Sequence, residues 1–389
     1  MKFHIDAAHK SLNHYGEELC GDMVEIHHTD EFDLMILADG MGSGVKANIL
    51  STLTSKILAS MFLKGAPLED CVQTVVKSLP ICQERQVAYA TFTILQIFKD
   101  GRAYLVEYDN PGCIFIRDGK LMEIPKNTIV IEDKEINEYH FNVQMGDCFV
   151  ITSDGTLYAG TEMALNMNWT WKHLSAFTVE EYQKTKSPIQ LANKICQKCN
   201  ELYGYKPGDD TTAAIMRVSP SKELRILVGP PSIKEFDAKM VSDFMEGNGD
   251  IRRVICGEST TKMVARELGI PLRTFPNTNP PVYQVEGVEL ATEGIMSLNY
   301  AIDLLQEYVE NDDLSDEFFE KLDADHSGAK VAQMLIDNCT DVIIFAGMAE
   351  QDYPSNPYLP IETKNRADLV KKLHIFIEAL GRYVTVKEY

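Results

Sequence analysis

Four aspartates in the first half of the chain stand beside glycine at the ends of apolar runs: Gly21-Asp22, Asp39-Gly40, Asp154-Gly155 and Gly208-Asp209-Asp210. Glycine lets the backbone turn tightly, so strands that end this way can bring carboxylates from distant parts of the chain to one place. Asp39 follows the apolar run Leu34–Ala38 and precedes Gly40-Met41-Gly42-Ser43-Gly44, a glycine-rich turn that opens a helical pattern. Asp154 follows Cys148–Ile151 in the same way, and Asp209 precedes the run Thr212–Val218. A single Asp-Gly is ordinary turn chemistry; its repetition at strand ends is the signal. Oxygen-only ligands gathered from several strand ends, with no His or Cys among them, select hard cations such as Mg²⁺ or Mn²⁺, and two such ions could share these carboxylates.

The elements that must position them alternate strand-like stretches with turns: Lys2–Ala8, Met23–His28, Phe32–Leu37, Ala90–Lys99, Arg102–Tyr108, Cys113–Arg117, Phe149–Thr152 and Thr212–Val218. Val45 to Leu63 carries apolar residues at helical spacing and is closed by Gly65, and a second helix from about Leu68 to Leu79 stops at Pro80. Many strands, tight turns and a few long helices give an α+β fold: two packed antiparallel sheets with helices on the outside. After Val218 the grammar changes to alternating strand and helix: Leu224–Val228, Ile233–Glu246, Arg253–Cys256, Thr260–Leu268, Gly287–Ala291, Ile295–Val309, Ala329–Asn338, Val342–Ala346 and Lys364–Leu380. That alternation predicts a doubly wound, Rossmann-like α/β domain with a parallel sheet, so the domains are expected at 1–219 and 220–389.

The segments Gly16-Glu17-Glu18-Leu19-Cys20-Gly21-Asp22, Leu37-Ala38-Asp39-Gly40-Met41-Gly42-Ser43-Gly44, Ala90-Thr91-Phe92, Thr152-Ser153-Asp154-Gly155 and Gly208-Asp209-Asp210-Thr211-Thr212 resemble, in order, the motifs of the metal-dependent protein phosphatases, the protein phosphatase 2C family. Within it they are most similar to the bacterial branch typified by sporulation stage II protein E, over about Met1–Val218. The resemblance implies an αββα sandwich with a two-metal centre between the sheets and hydrolysis of phosphoserine or phosphothreonine on a regulatory protein. It implies that Asp22 and Asp39 hold Mn²⁺ or Mg²⁺ with the backbone carbonyl of Gly40, and that Asp154 and Asp209 complete the second ion's shell. Asp210 joins this set, standing where many relatives have Asn. Such a centre activates water for in-line attack on phosphorus while neutralising phosphoryl charge, with no covalent phosphoenzyme. The chain departs from some relatives in lacking an Arg near its N-terminal strand: His4, Lys10 and His14 lie there, and the first Arg is Arg85. Asp109, in Glu107-Tyr108-Asp109-Asn110-Pro111-Gly112, reads as a turn residue before it reads as a contact to a metal-bound water.

Charge bounds the rest. With 58 acidic against 37 basic residues, a net charge of −21 and no Lys/Arg run, the chain repels nucleic-acid backbones and anionic membranes, so neither is an expected partner. Its apolar runs fall short of a membrane span, and the absence of a signal-like N-terminus suggests a cytoplasmic location. Nine cysteines scattered through apolar segments read as reduced thiols, and Cys196-Gln197-Lys198-Cys199, on a helical pattern, reads as core packing. Asp323-Ala324-Asp325-His326-Ser327-Gly328 mimics the start of a calcium loop, but position twelve is Met334, so a helix cap is expected.

In the second half, Val254-Ile255-Cys256-Gly257-Glu258-Ser259-Thr260-Thr261 is a strand ending in glycine with hydroxyls at a helix start, a pattern that can hold an anion on free backbone N–H groups. Leu227-Val228-Gly229-Pro230-Pro231-Ser232 and Ala291-Thr292-Glu293-Gly294 are comparable loops. Together they outline a crevice for a small-molecule or phosphate ligand touching Gly257, Ser259, Thr260 and Glu293. Two rival functions remain open on the sequence: a catalytically silent phosphoprotein-binding module, and a metal-dependent phosphatase of a small phosphorylated metabolite.

Overall fold

The apolar run at residues 32–40 forms a strand, β3 (Phe32–Gly40), that is covered on both faces. Leu34 and Ile36 pack with Leu58, Phe62, Val72 and Val75 of two helices, α1 (Gly44–Phe62) and α2 (Leu68–Ser78). Met35 and Leu37 belong instead to a cluster with Phe115, Phe149, Ile151, Ala214 and Met216. The same period of two runs through β10 (Cys148–Thr152), where Cys148 and Val150 pack outward with Leu191, Ile195 and Cys199, and Phe149 and Ile151 pack inward. Alternation with both faces apolar is what a strand between two layers requires.

The computed structural model describes residues 3–78, 90–159, 169–247, 251–275, 281–311, 314–337, 339–349 and 366–389. Lys2, the expected helix end at Leu79-Pro80, Cys82, Arg85, Asn338 and Lys364 lie outside them. The chain forms two units, Met1–Pro220 and Ser221–Tyr389.

In the first unit, a six-stranded sheet has the order β2 (Asp22–His28), β3, β4 (Ala90–Phe98), β5 (Arg102–Tyr108), β9 (Lys134–Asn142), β8 (Asn127–Ile131). A five-stranded sheet has the order β1 (Phe3–Leu12), β11 (Thr211–Pro220), β10, β6 (Ile114–Arg117), β7 (Lys120–Met122). Every neighbouring pair in both is antiparallel. The inward faces meet in the central cluster, α1 and α2 cover one outer face, and α4 (Trp171–Lys184) and α5 (Pro188–Leu202) contribute the cluster on the other. This is a helix–sheet–sheet–helix sandwich. Each Leu, Ile or Phe buried in it contributes roughly 1.5–3 kcal/mol, which holds the strand ends rigid enough to carry unfavourable charge. Cys196 and Cys199 are buried in this core, with the Cys196 thiol donating to the Lys10 carbonyl (3.2 Å).

One helix departs from its expected pattern. The buried face of α1 is made of Ala47, Ser51, Thr54, Ser55, Leu58, Ala59 and Phe62, while Val45, Ile49 and Leu53 are 61%, 48% and 39% exposed. Small side chains let α1 lie close on the sheet, and Ser51 and Ser55 satisfy their hydroxyls on the Asn48 and Thr52 carbonyls (3.1 Å each).

The second unit holds a seven-stranded sheet, and its wholly parallel expectation is corrected: the sheet is mixed. Five parallel strands run in the order β16 (Leu290–Thr292), β13 (Arg252–Cys256), β12 (Glu223–Val228), β17 (Asp341–Ala346), β18 (Tyr383–Glu388). An antiparallel pair, β14 (Arg273–Phe275) and β15 (Val282–Gln284), extends the β16 edge. Helices α6 (Asp237–Met245), α7 (Glu258–Leu268), α8 (Ile295–Glu310), α10 (Ser327–Asp337) and α11 (Arg366–Ala379) link the strands. Between α8 and α10, where the sequence at residues 310–320 is rich in Asp and Glu, lies a further helix, α9 (Asp316–Leu322), which Ser315 caps by accepting from Phe318 N (3.1 Å) and which buries Phe318, Phe319 and Leu322. The cap expected ahead of α10 is a histidine: Gly328 N–H donates to His326 Nδ1 (3.0 Å).

Candidate functional site

Antiparallel pairing sets Asp22, the first residue of β2, directly opposite Asp39 near the end of β3. In the other sheet, β10 and β11 pair up to Thr152 and Ala213, and Ser153 N–H donates to the Thr212 carbonyl (3.1 Å), placing Asp154 and Asp209 at neighbouring strand ends. The glycines are fixed by close approach. A Cβ on Gly40 would stand 2.0 Å from the Ala47 carbonyl oxygen, and one on Gly155 would stand 2.1 Å from the Asp210 carbonyl oxygen. Asp154 opens a four-residue helix, α3 (Gly155–Tyr158), and its carbonyl accepts from Leu157 N (2.8 Å).

The carboxylates repel one another in a buried setting. Burial, followed by the charges of Asp22, Asp154 and Asp209, pushes Asp39 up to about 10, and Asp39 donates its proton to Asp154. Burial raises Asp22 to about 7 against the hydrogen bonds of Thr212 and Ser153, and burial and then the Asp154 charge raise Asp209 to about 6. Asp154 is raised chiefly by burial as well. Four acids held at these strand ends cannot all ionise without positive charge between them. Asp22 Oδ1 is buried with no hydrogen-bond partner, while Oδ2 accepts from Ser153 Oγ (2.7 Å). An acid-only donor set with an orphaned buried oxygen fits divalent cations. Among the described residues, no three His, Cys, Asp or Glu side chains already stand in metal-ligand geometry.

Asp210 is placed differently from its neighbour. Its Oδ1 accepts from His14 N (3.0 Å) and its Oδ2 lies 2.5 Å from where a Gly21 Cβ would be, so it ties down the loop that leads into Asp22. Gly40 N–H donates to the Gly21 carbonyl (3.1 Å), which anchors the other end of that loop. Asp109 has the turn conformation expected of it, with a φ of +57°, and its charge acts on Asp154 and Tyr158. Sequence reasoning passed over Ser153 and Thr212. Ser153 Oγ donates to Asp22 and accepts from Thr212 N (2.8 Å), and the Thr212 hydroxyl meets Ser11 Oγ (2.8 Å). Both sit inside quoted motifs, next to the acids, and only their pairing across strands reveals the role.

In the second unit, Gly257, Ser259, Thr260 and Glu293 gather at the carboxyl ends of β13 and β16, where Gly257 N–H donates to the Thr292 carbonyl (3.1 Å). The loop at Gly229 is filled by the chain itself: a Cβ there would stand 2.2 Å from the Arg366 guanidinium, whose Nη1 donates to the Gly347 carbonyl (2.9 Å).

Residues 33–219 match the sequence profile of the family described as Stage II sporulation protein E (SpoIIE). Over 187 residues the chain is 19% identical to Stage II sporulation protein E of Bacillus subtilis (strain 168), covering 47% of this chain and 22% of that protein. The chain therefore spans about a fifth of that relative's length. Among solved structures it is similar to the phosphatase domain of SpoIIE from Bacillus subtilis, in a crystal form without domain swapping (17% identity, 56% of this chain and 94% of that one, TM-score 0.44). It is also similar to the catalytic domain of the serine threonine protein phosphatase PstP in complex with 2 manganese ions (17% identity, 56% and 100%, TM-score 0.40). The first unit is thus similar, over residues 33–219, to phosphatase domains of the protein phosphatase 2C class. Over that segment it is similar to the Stage II sporulation protein E family.

Proposed function

We propose that the first unit removes phosphate from phosphoserine or phosphothreonine on a regulatory protein, with two divalent cations, Mn²⁺ or Mg²⁺, held by Asp22, Asp39, the Gly40 carbonyl, Asp154 and Asp209. The observation that carries this reading is the convergence of four acids at neighbouring strand ends, where burial first and then the charges of its acidic neighbours raise Asp39 to about 10. When bound, the cations supply Lewis acidity toward the phosphoryl oxygens and toward water. The chain's own residues do the rest. Asp39 gives up the proton it shares with Asp154, Ser153 keeps Asp22 oriented through Oδ2, and Asp210 holds the Gly21 loop so that Asp22 stays opposite Asp39. Asp210 joins this set through Oδ2, which like Asp22 Oδ1 is buried with no hydrogen-bond partner, while its Oδ1 holds the loop at His14.

The test is hydrolysis of p-nitrophenyl phosphate and phosphopeptides by the full chain in EDTA, Mg²⁺ and Mn²⁺. Metal-restored turnover of phosphoserine or phosphothreonine peptides is expected. Turnover confined to small phosphorylated metabolites would replace the substrate class, and phosphopeptide binding without turnover would make the chain a silent binding module.

A further inference from the structure

The parallel strands β13 and β16 launch α7 and α8 side by side. Gly257 caps α7 at φ +129° and Gly294 caps α8 at φ +123°, and a Cβ on Gly294 would stand 3.0 Å from Gly257 Cα. Two helix N-termini thus converge, each carrying about half a positive charge from its aligned peptide dipoles. Their treatment differs. The α8 end is served by an oxyanion of the chain, since Ser297 N–H donates to Glu293 Oε1 (3.0 Å). The α7 end has no side-chain cap. Where a capping side chain at position 257 would stand, Thr260 Oγ1 lies 2.8 Å away; Thr260 is 1% exposed and this hydroxyl has no hydrogen-bond partner. Burying such a group unpaired is costly, and a native fold keeps one where a ligand completes it.

We propose that the notch between the N-termini of α7 and α8 binds the phosphate group of a small molecule, with the Ser259 and Thr260 hydroxyls and backbone N–H groups as donors, the Glu258 N–H being taken by the Glu293 carbonyl (3.1 Å). A phosphate dianion offers three terminal oxygens to this set, whereas a single carboxylate is what α8 already takes from Glu293. Glu293 serves the neighbouring helix through Oε1, so the donors come from α7 alone. The chain's net charge of −21 repels anions at long range, so binding rests on short-range donors and strengthens as salt screens that repulsion. This inference concerns the second unit and stands apart from the phosphatase reading.

The test is isothermal titration of the full chain in EDTA, where metal-dependent chemistry is silent, with inorganic phosphate, adenosine monophosphate and acetate. Phosphate or the nucleotide is expected to bind and acetate is not. Tighter binding of the nucleotide identifies a phosphate monoester as the source, and equal binding identifies the free anion. Ser259→Asp puts a carboxylate in the first turn of α7, where it suits the helix dipole, so the variant should fold and lose binding. Thr260→Val should weaken binding by about tenfold or more. No binding to the unaltered chain, acetate binding as tightly as phosphate, or unchanged affinity in both variants would overturn the proposal.

Discussion

Ser153→Ala isolates the part of the centre that only the fold reveals. Ser153 is fully buried, donates to Asp22 Oδ2 at 2.7 Å and accepts from Thr212 N–H at 2.8 Å. Removing the hydroxyl deletes a hydrogen bond to an ionisable group, worth about 1.5–3 kcal/mol, and leaves a buried N–H without its acceptor at about 1–3 kcal/mol. Relaxation makes these overlap, so the first unit should lose roughly 2–4 kcal/mol. In a domain of this size each kcal/mol moves Tm by about 2–4 °C, which puts the drop at about 4–16 °C. Metal affinity should fall as well. Ser153 favours the ionised form of Asp22, so its loss raises a carboxyl already near 7 and disfavours the state a cation needs; loss of such an outer hydrogen bond weakens metal binding about 10–100-fold. The assays are thermal unfolding in EDTA and a Mn²⁺ titration of phosphatase activity at fixed pH. Ser187→Ala is the control: Ser187 caps α5 by accepting from Gln190 N (3.2 Å), so its loss should cost about 1 kcal/mol and leave the Mn²⁺ requirement unchanged. If Ser153→Ala melts with the unaltered chain and needs no more Mn²⁺, the coupling from Ser153 through Asp22 to the cation is wrong.

Asp39→Asn should abolish metal-dependent turnover, yet in EDTA near pH 7 it should melt no lower than the unaltered chain, because the amide replaces a carboxyl that burial and its acidic neighbours already keep protonated; a large drop in the EDTA melt would contradict this. Gly155→Ala drives a Cβ to 2.1 Å from the Asp210 carbonyl and should separate Asp154 from Asp209, costing about 1–3 kcal/mol and most activity, as read by melting and turnover together. His326 accepts from Gly328 N–H through Nδ1, and burial lowers its pKa, so the ring must be neutral to cap α10. A base with a lowered folded pKa contributes stability that is present above its unfolded value of about 6.5 and lost as pH falls below it. Melts of the unaltered chain and His326→Asn, which supplies a cap that does not titrate, should therefore diverge between about pH 7.5 and pH 5.5, and parallel pH profiles would remove His326 as the cause.

Much of the centre was legible in the sequence because its determinants are local. Strand runs with apolar residues at both alternating positions, as in Leu34–Ala38 and Cys148–Ile151, can only lie between two layers, and an Asp-Gly at the end of each fixes a carboxylate at a sheet's edge. Hydroxyls and cysteines at helical spacing were similarly readable, as with Cys196 and Cys199 in the core. The elements that escaped are those whose stability comes from a partner. β18 alternates exposed and half-buried residues and exists because β17 offers it a parallel edge, β14 and β15 are three residues each, and α9 hides three buried apolar residues inside a run read as acidic.

Residue types and order along the chain determined which acids form the candidate centre, because a carboxylate beside a glycine turn is a property of a few consecutive residues. Tertiary structure decided how they act on one another. The pairing of Asp22 with Asp39, the Ser153 bridge from Asp22 to Thr212 and the tie from Asp210 to His14 all depend on register between segments far apart in sequence. Register is set by the whole packed core, which no local pattern contains.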